Sequence, residues 1–467
     1  MTLSVASTAR EQAAAVRAKE ISARELLDLH LDRIAERNPE LNAIVSLDEE
    51  RARQGAAAAD EALARGEQVG PLHGLPFAFK DTHAVAGWRT TYGSVLFADH
   101  VPDRDELIVE RVRRAGVVVI GKTNVPEFAA GSHTFNALFG TTLNPVDPTR
   151  SAGGSSGGAA CALAAGMVPL ADGSDMGGSL RNPASFCGVV GLRGSLGRVP
   201  EWPASNHWET TSVGGPMARN VGDLALLLSV MAGPDPRAPQ ALGDSGSVFA
   251  PPLQGSLAGL RVALAPDLDG VISVDEEVAG IVASSADAFA GAGARVTGAA
   301  PDLATADDTF KTLRAWHFQA RFGDLLAGHR DAFKPSLAAN IDAGAGLSGA
   351  DVARAYAQRT GLSETMRMFF EQHDLLVLPA AQVPPFPADQ EFPTTVNGQP
   401  MASYLDWMKA AYLITVTGCP AISVPFGTTR DGLPVGLQLV AAHGRDRFLL
   451  ETAAALEELV AVRQSFV

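Results

Sequence analysis

Over the first 65 residues, apolar positions recur with a helical period between charged ones. Thr8 with Glu11, and Ser22 with Glu25, each fit the S/T-x-x-E spacing. At that spacing a hydroxyl and a carboxylate reciprocally satisfy the free N–H groups at a helix start. After the second box, Leu26, Leu27, Leu29, Ile34 and Leu41 trace an apolar face broken by charges, which predicts a helix packed on something larger. The period then changes. Phe77 and Phe79 alternate within "LPFAFKD" (75–81) and predict a strand. "RDELIVERVRRAG" reads as a helix running into a buried strand, "VVVIG", by residue 121. The same alternation recurs through 157–193 and again after 258, where "LRVALAP" reads as a strand. Near the end, "AISVPFGTTRDGLPVGLQLV" sets Asp431-Gly432 between apolar stretches, the signature of a hairpin.

Helices alternating with buried strands predict an α/β fold with helices on both faces of a sheet. The hairpin makes that sheet mixed, and the expectation is a mostly parallel, twisted one. At 467 residues the chain could hold two or three units, although large single α/β folds also reach this length. The best candidate boundary, the Pro-, Gly- and Ser-rich stretch 232–258, reads equally as a surface loop within one sheet. No repeat of fixed period is present.

Composition narrows the function. Hydrophobic residues make up 46% and charged residues 19%, as in a globular protein with a large core. A net charge of −15 argues against nucleic acid or an anionic membrane as partner, since phosphate binding needs clustered Lys and Arg. Cys161, Cys187 and Cys419 stand far apart in apolar contexts and read as buried free thiols. The N-terminal stretch lacks the pattern of a signal peptide, and no apolar run is long enough for a membrane span. A cytoplasmic location is the expectation.

Residues 116–123, "GVVVIGKT", match the phosphate-loop pattern letter for letter. That pattern works only when its middle residues form a loop whose N–H groups wrap a phosphate. Val117, Val118, Val119 and Ile120 are β-branched and belong in a strand, so nucleotide binding is rejected. A different glycine-rich region carries chemistry. "GGSSGG" (153–158) and "GSDMGGS" (173–179) flank an apolar helix and strand, which a flexible linker would not. Glycine allows close backbone approach to a ligand, and a serine after Met176-Gly177-Gly178 could sit among backbone N–H groups that hold an oxyanion.

These residues resemble the amidase signature family of serine hydrolases, closest in motif to its nylon-oligomer (6-aminohexanoate cyclic dimer) hydrolases and aryl acylamidases. The resemblance extends to "PLHGLPFAFKD", "GKTNVPEFAAG", "NALFGTTLNP", "GGPMARNVGDLALLLSVMAGPDP" and "GCPAISVPFG…DGLPVGLQLV", and is weakest from about 265 to 372. It implies a single domain over 1–467: a helical part at 1–65, a catalytic core at 66–240, a variable substrate-side helical region at 265–372, and a sheet-completing part at 373–467. It further implies a catalytic trio of Lys80, Ser155 and Ser179. Ser179 would be the nucleophile, and Ser155, after a cis peptide bond, would relay protons to Lys80. The N–H groups of Met176, Gly177, Gly178 and Ser179 would hold the oxyanion. Ser156 is expected to bond the loop backbone, and Asp175 and Arg181 to brace the loop as an ion pair. Ser174 and Met176 stand where the family commonly has threonine, and neither is expected to touch the trio.

The chemistry fits the residue types. A serine hydroxyl needs a base, and lysine serves as one only if burial lowers its pKa from near 10.4. "LPFAF" would supply the desolvating wall for Lys80. A histidine base (His73, His83 or His133) is then unnecessary, no metal or other cofactor is expected, and no cluster has zinc spacing. By the resemblance, Ala129, Ala130, Gly131 and Ser132 line the acyl pocket. Trp202, Trp208 and the 300–345 region form either a lid or core. The expected activity is hydrolysis of apolar linear, cyclic or aryl amides through an acyl-enzyme, reaching esters and carbamates (urethanes). The alternative is the glutaminase subunit of a tRNA-dependent amidotransferase, and a third reading, a catalytically dead scaffold, is opposed by the intact trio. The partner is a small-molecule amide, and a homodimer remains an open expectation.

Overall fold

The computed structural model describes residues 3–460; the ends of the first and last expected parts, 1–2 and 461–467, lie outside the described residues. Both capping boxes form, Thr8 with Glu11 and Ser22 with Glu25, and they open the helices Ala9–Arg17 and Ala23–Leu41. Leu26, Leu27, Ile34 and Leu41 are buried as expected, but Leu29 is exposed. Its angular position on the helix falls about 120° from the middle of that stripe, where His30 is buried, while Leu31 is buried at the stripe's far edge. The His30 imidazole is accommodated there by Gln12 Oε1 at 3.0 Å and the Met167 carbonyl at 3.1 Å.

The helical N-terminal part also contributes a strand, β1 (Ile44–Leu47), before the helix Glu49–Ala64. β1 pairs antiparallel with β3 (Val118–Thr123), which pairs parallel with β2 (Pro76–Lys80). The rejected phosphate-loop match is therefore strand, and it continues through Gly121 and Lys122 rather than ending there. A short pair, β4 (Phe135–Asn136) and β5 (Gly140–Thr141), follows.

The main sheet takes β6 (Leu170–Asp175), β7 (Val190–Arg193), β8 (Val213–Ala218), β9 (Arg261–Leu264), β10 (Arg295–Gly298) and β11 (Leu375–Pro379). After a separate hairpin of β12 (Thr395–Val396) and β13 (Gln399–Pro400), it is completed by β14 (Ala421–Thr428) and β15 (Pro434–Val440). The eight strands run in the order β10-β9-β11-β15-β14-β7-β8-β6. Strands β7 and β11 are buried at every position, so side chains pointing to either face are covered.

The sheet is mixed as expected, but its neighbours are mostly antiparallel. Within this sheet only β10–β9 and β9–β11 pair in parallel among the described strands. The strand–helix–strand units are there: β6 and β7, joined by the helix Arg181–Cys187, run the same way. Strand β8 then inserts between β6 and β7, antiparallel to both, and the hairpin β14–β15 inserts between β7 and β11. Sequence alternation reveals such units, whereas the strand that later fills a gap is chosen by long-range packing.

The stretch 232–258 is irregular apart from the short turn Gly246–Phe249, and it leads from a helix on the sheet (Val221–Met231) into β9 of the same sheet. It is a loop within one domain. The 265–372 region is helical beyond β10, with Ala306–His329, Pro335–Ala345 and Gly349–Gln372 as its long helices. Phe318, Phe322, Phe333, Leu337 and Ile341 build a small second core there with Ala130. All three cysteines are free and buried.

Candidate active site

Strand β2 ends on Lys80, which is wholly buried. Its ammonium nitrogen reaches three hydroxyls: Ser155 Oγ at 2.8 Å, Ser156 Oγ at 2.9 Å and Ser174 Oγ at 2.9 Å. All three partners are neutral. Burial therefore dominates and lowers the pKa of Lys80 to about 7, with Asp172 and Asp175 pulling weakly the other way.

The glycine-rich stretch is packed structure, not a linker. Helix Gly157–Ala164 starts directly after Ser155 and Ser156, and a Cβ on Gly158 would stand 2.4 Å from the Asn124 nitrogen. Only glycine lets these backbones meet. Ser156 occupies the N-cap position of this helix without capping it. Its hydroxyl accepts from Lys80 and donates to the Ser174 carbonyl at 3.4 Å, so it bonds the backbone of β6 and also touches the lysine. The Gly154–Ser155 peptide is cis.

The second cluster lies where β6 ends. Asp175 and Arg181 form a wholly buried ion pair at 2.8 Å. The same carboxylate accepts the N–H groups of Gly178 at 2.9 Å and Leu180 at 3.1 Å, which fixes the loop between them. One expectation is corrected by this. The Gly178 N–H is committed to Asp175, so of the four N–H groups expected to hold an oxyanion, those of Met176, Gly177 and Ser179 are left unengaged among the described residues. The Ser179 hydroxyl makes no hydrogen bond among the described residues, while its carbonyl accepts the Ser156 N–H at 3.2 Å and ties the two loops together.

Ser155, Ser174, Met176 and Ser179 open into one cavity. Its walls are aromatic and mixed in charge, with Phe128, Trp202, Phe318 and Phe322 beside Glu106, Glu201, Arg314 and Arg321. Of the expected pocket residues, Ala129 and Trp202 line it. Ala130, Gly131 and Ser132 do not. Phe128 and Ala129 both adopt positive φ, and the chain turns away so that Ala130 enters the second core and Ser132 accepts the Trp407 indole N–H at 3.0 Å. Trp208 is exposed.

Two contacts at the site were missed in the sequence. Ser174 touches Lys80, contrary to expectation, and Asp172 accepts the Lys80 backbone N–H at 3.0 Å. The two sit two apart on β6 and so share a face, a signal that the strand period offered. Asp172 also contacts His83 Nδ1. Burial alone would lower the His83 pKa, but Asp172 reverses the direction and raises it. Of the candidate histidines only His83 lines the cavity. His73 bonds the Ala59 carbonyl, and His133 bonds Ser151 and the Ala388 carbonyl.

This arrangement is that of an amide hydrolase of α/β architecture, and comparison with known proteins agrees. Residues 25–450 match the amidase family, and the chain belongs to the amidase signature enzymes. It is 38% identical to an acylamidase of Rhodococcus erythropolis over 454 residues, covering 96% of this chain and 94% of that protein. It is 37% identical to the A-type subunit of the glutamyl-tRNA(Gln) amidotransferase of Synechococcus sp. (strain CC9605), covering 95% and 94%. Among solved structures, a bacterial aryl acylamidase superposes with a TM-score of 0.90 at 31% identity, covering 97% of this chain and 96% of that one. A 6-aminohexanoate cyclic dimer hydrolase complexed with substrate superposes with a TM-score of 0.87 at 29% identity, covering 98% of each chain. No helix among the described residues is long and apolar enough to cross a membrane.

Proposed function

We propose that this amidase cleaves amides with an apolar body (linear, cyclic or aryl) through an acyl-enzyme on Ser179, with Ser155 as relay and Lys80 as base. The observation that carries the reading is the Lys80 amine, buried against hydroxyls alone and with its pKa near 7. A neutral amine takes the Ser155 proton as Ser155 takes that of Ser179, which attacks the carbonyl carbon. The N–H groups of Met176, Gly177 and Ser179 receive the charge on the carbonyl oxygen. Running the relay backwards protonates the leaving amine, and water then releases the acyl group by the same path. The aromatic walls of the cavity support an apolar substrate body.

A panel of glutamine, aliphatic amides, anilides, nylon oligomers, esters and carbamates, given to the purified chain without metal or nucleotide, tests this. Turnover of apolar amides with fluorophosphonate labelling at Ser179 is expected, and labelling at another serine overturns the nucleophile assignment. The 37% identity to one component of an amidotransferase favours a second reading, a glutaminase. Glutamine hydrolysis alone, appearing only with a partner protein, would replace the first reading with that one.

A further inference from the structure

Arg314, on the helix Ala306–His329, is only 5% exposed, and its side chain lines the cavity that holds Ser155 and Ser179. Its hydrogen bonds go to neutral groups. Nε donates to Asn340 Oδ1 at 3.2 Å, Nη1 contacts the Met176 sulfur at 3.0 Å, and Nη2 donates to the Tyr404 hydroxyl. Its planar face lies 4.0 Å from the Phe318 ring centre. The holders are themselves neutral and fixed: Tyr404 leans on Asn340 Oδ1 at 3.4 Å, and the Asn340 amide donates to the Ser336 carbonyl at 2.6 Å.

Taking a guanidinium out of water is costly, and a protein normally offsets it with a carboxylate. This chain does so at Arg181, which pairs with Asp175, and at Arg198, which pairs with Asp446. Arg314 has no such partner among the described residues. A sulfur is a weak acceptor, and Nη1 and Nη2 each keep a second N–H beyond the one engaged. Arg321, one further cation on the same helix, also lines the cavity, whereas the cavity's carboxylates, Glu106 and Glu201, come from other segments.

We infer that Arg314 is a recognition site for a carboxylate carried by the amide substrate. The inference rests on the proposed function of this cavity and narrows its substrates to amides with an apolar body and an acidic group. A planar fork held by neutral groups is preorganised for such a ligand, which supplies the missing negative charge. The Met176 contact sets the fork beside the Met176–Ser179 loop, so the acidic group and the scissile bond fall within one small molecule. Phe318, Phe322 and Phe128 receive the apolar part.

Two sets of probes test the inference and locate the carboxylate. One compares ω-carboxyacyl 4-nitroanilides (succinyl, glutaryl, adipyl) with neutral acyl 4-nitroanilides of equal chain length. The other compares acyl 4-aminobenzoates with the corresponding anilides. The wild type should prefer the acidic member in one set, which assigns the carboxylate to the acyl or the amine side. In Arg314→Met that preference should fall by about 10- to 150-fold, the worth of a charge-assisted hydrogen bond. Arg314→Lys should recover part of it. The readout is a ratio of kcat/KM values within one preparation, so partial misfolding lowers both members and leaves the ratio. Equal turnover of acidic and neutral probes by the wild type, or an unchanged ratio in Arg314→Met, overturns the inference alone. Failure of the wild type to hydrolyse any probe overturns the substrate reading and the inference with it.

Discussion

The Lys80 ammonium nitrogen stands 2.8 Å from the Ser155 hydroxyl, in a site where burial holds the lysine near a pKa of about 7. A base must be unprotonated to act, so activity belongs to the neutral amine. The kcat/KM for a neutral anilide should rise with pH through about 7 and level off above it. Lys80→Arg, which stays charged at every accessible pH, should be inactive throughout the profile.

Ser174 hydrogen-bonds the same nitrogen. As an acceptor it favours the charged amine, so removing it disfavours the proton. Ser174→Ala should move the rise in the pH profile to lower pH while retaining measurable turnover. A purely structural role for Ser174 would lower activity without moving the midpoint.

The nucleophile and its relay should respond differently from the bracing hydroxyl. Ser179→Ala should lower kcat by roughly 10⁴-fold or more and abolish fluorophosphonate labelling. Ser155→Ala should lose turnover to a similar degree because it cuts the relay. Ser156→Ala should cost less, since Lys80 keeps its contact with Ser155. Single-turnover kinetics on a 4-nitroanilide separates the three.

The Asp175–Arg181 pair governs stability. Burial alone would raise the Asp175 carboxyl, but Arg181, Arg193 and the Leu180 N–H together hold it well below the ordinary carboxylate range. A carboxyl depressed on folding contributes stability above its unfolded pKa and loses it as pH falls. Asp175→Asn should therefore cost about 3–5 kcal/mol at neutral pH in urea unfolding. Its deficit against the wild type should shrink below about pH 4.

Gly178 has φ +116°, and a Cβ there would stand 2.6 Å from the Ala411 Cβ and 2.8 Å from the Asn182 side-chain nitrogen. Gly178→Ala should displace the neighbouring Ser179 and lower kcat by roughly 100-fold or more. Circular dichroism on the same sample distinguishes this from global unfolding.

Local signals carried much of this architecture into the sequence. The capping boxes at Thr8 and Ser22, the hairpin across Asp431-Gly432 and the strand nature of Val118–Val119 all rest on neighbours a few residues apart, and all appear in the structure. The antiparallel insertion of β8 between β6 and β7 rests on nothing local, and so the sheet was read as mostly parallel. The same division runs through the site. Motif residues at Lys80, Ser155 and Ser179 were legible, but the turn at Phe128 and Ala129 that removes Ala130, Gly131 and Ser132 from the cavity was not.

By itself, then, the sequence determined the α/β class and the two glycine-serine clusters, because each depends on backbone freedom or period within a short window, whereas Lys80 was joined to them only by the family resemblance. The tertiary structure alone decided which groups meet. Lys80 and Ser174 lie far apart in the chain and come within 2.9 Å because β2 and β6 bring their ends together. Arg314, on a helix remote from both, faces the cavity that Ser174 lines and has no carboxylate partner among the described residues for the same reason: charge pairing in a folded chain is set by packing, and no local pattern records it.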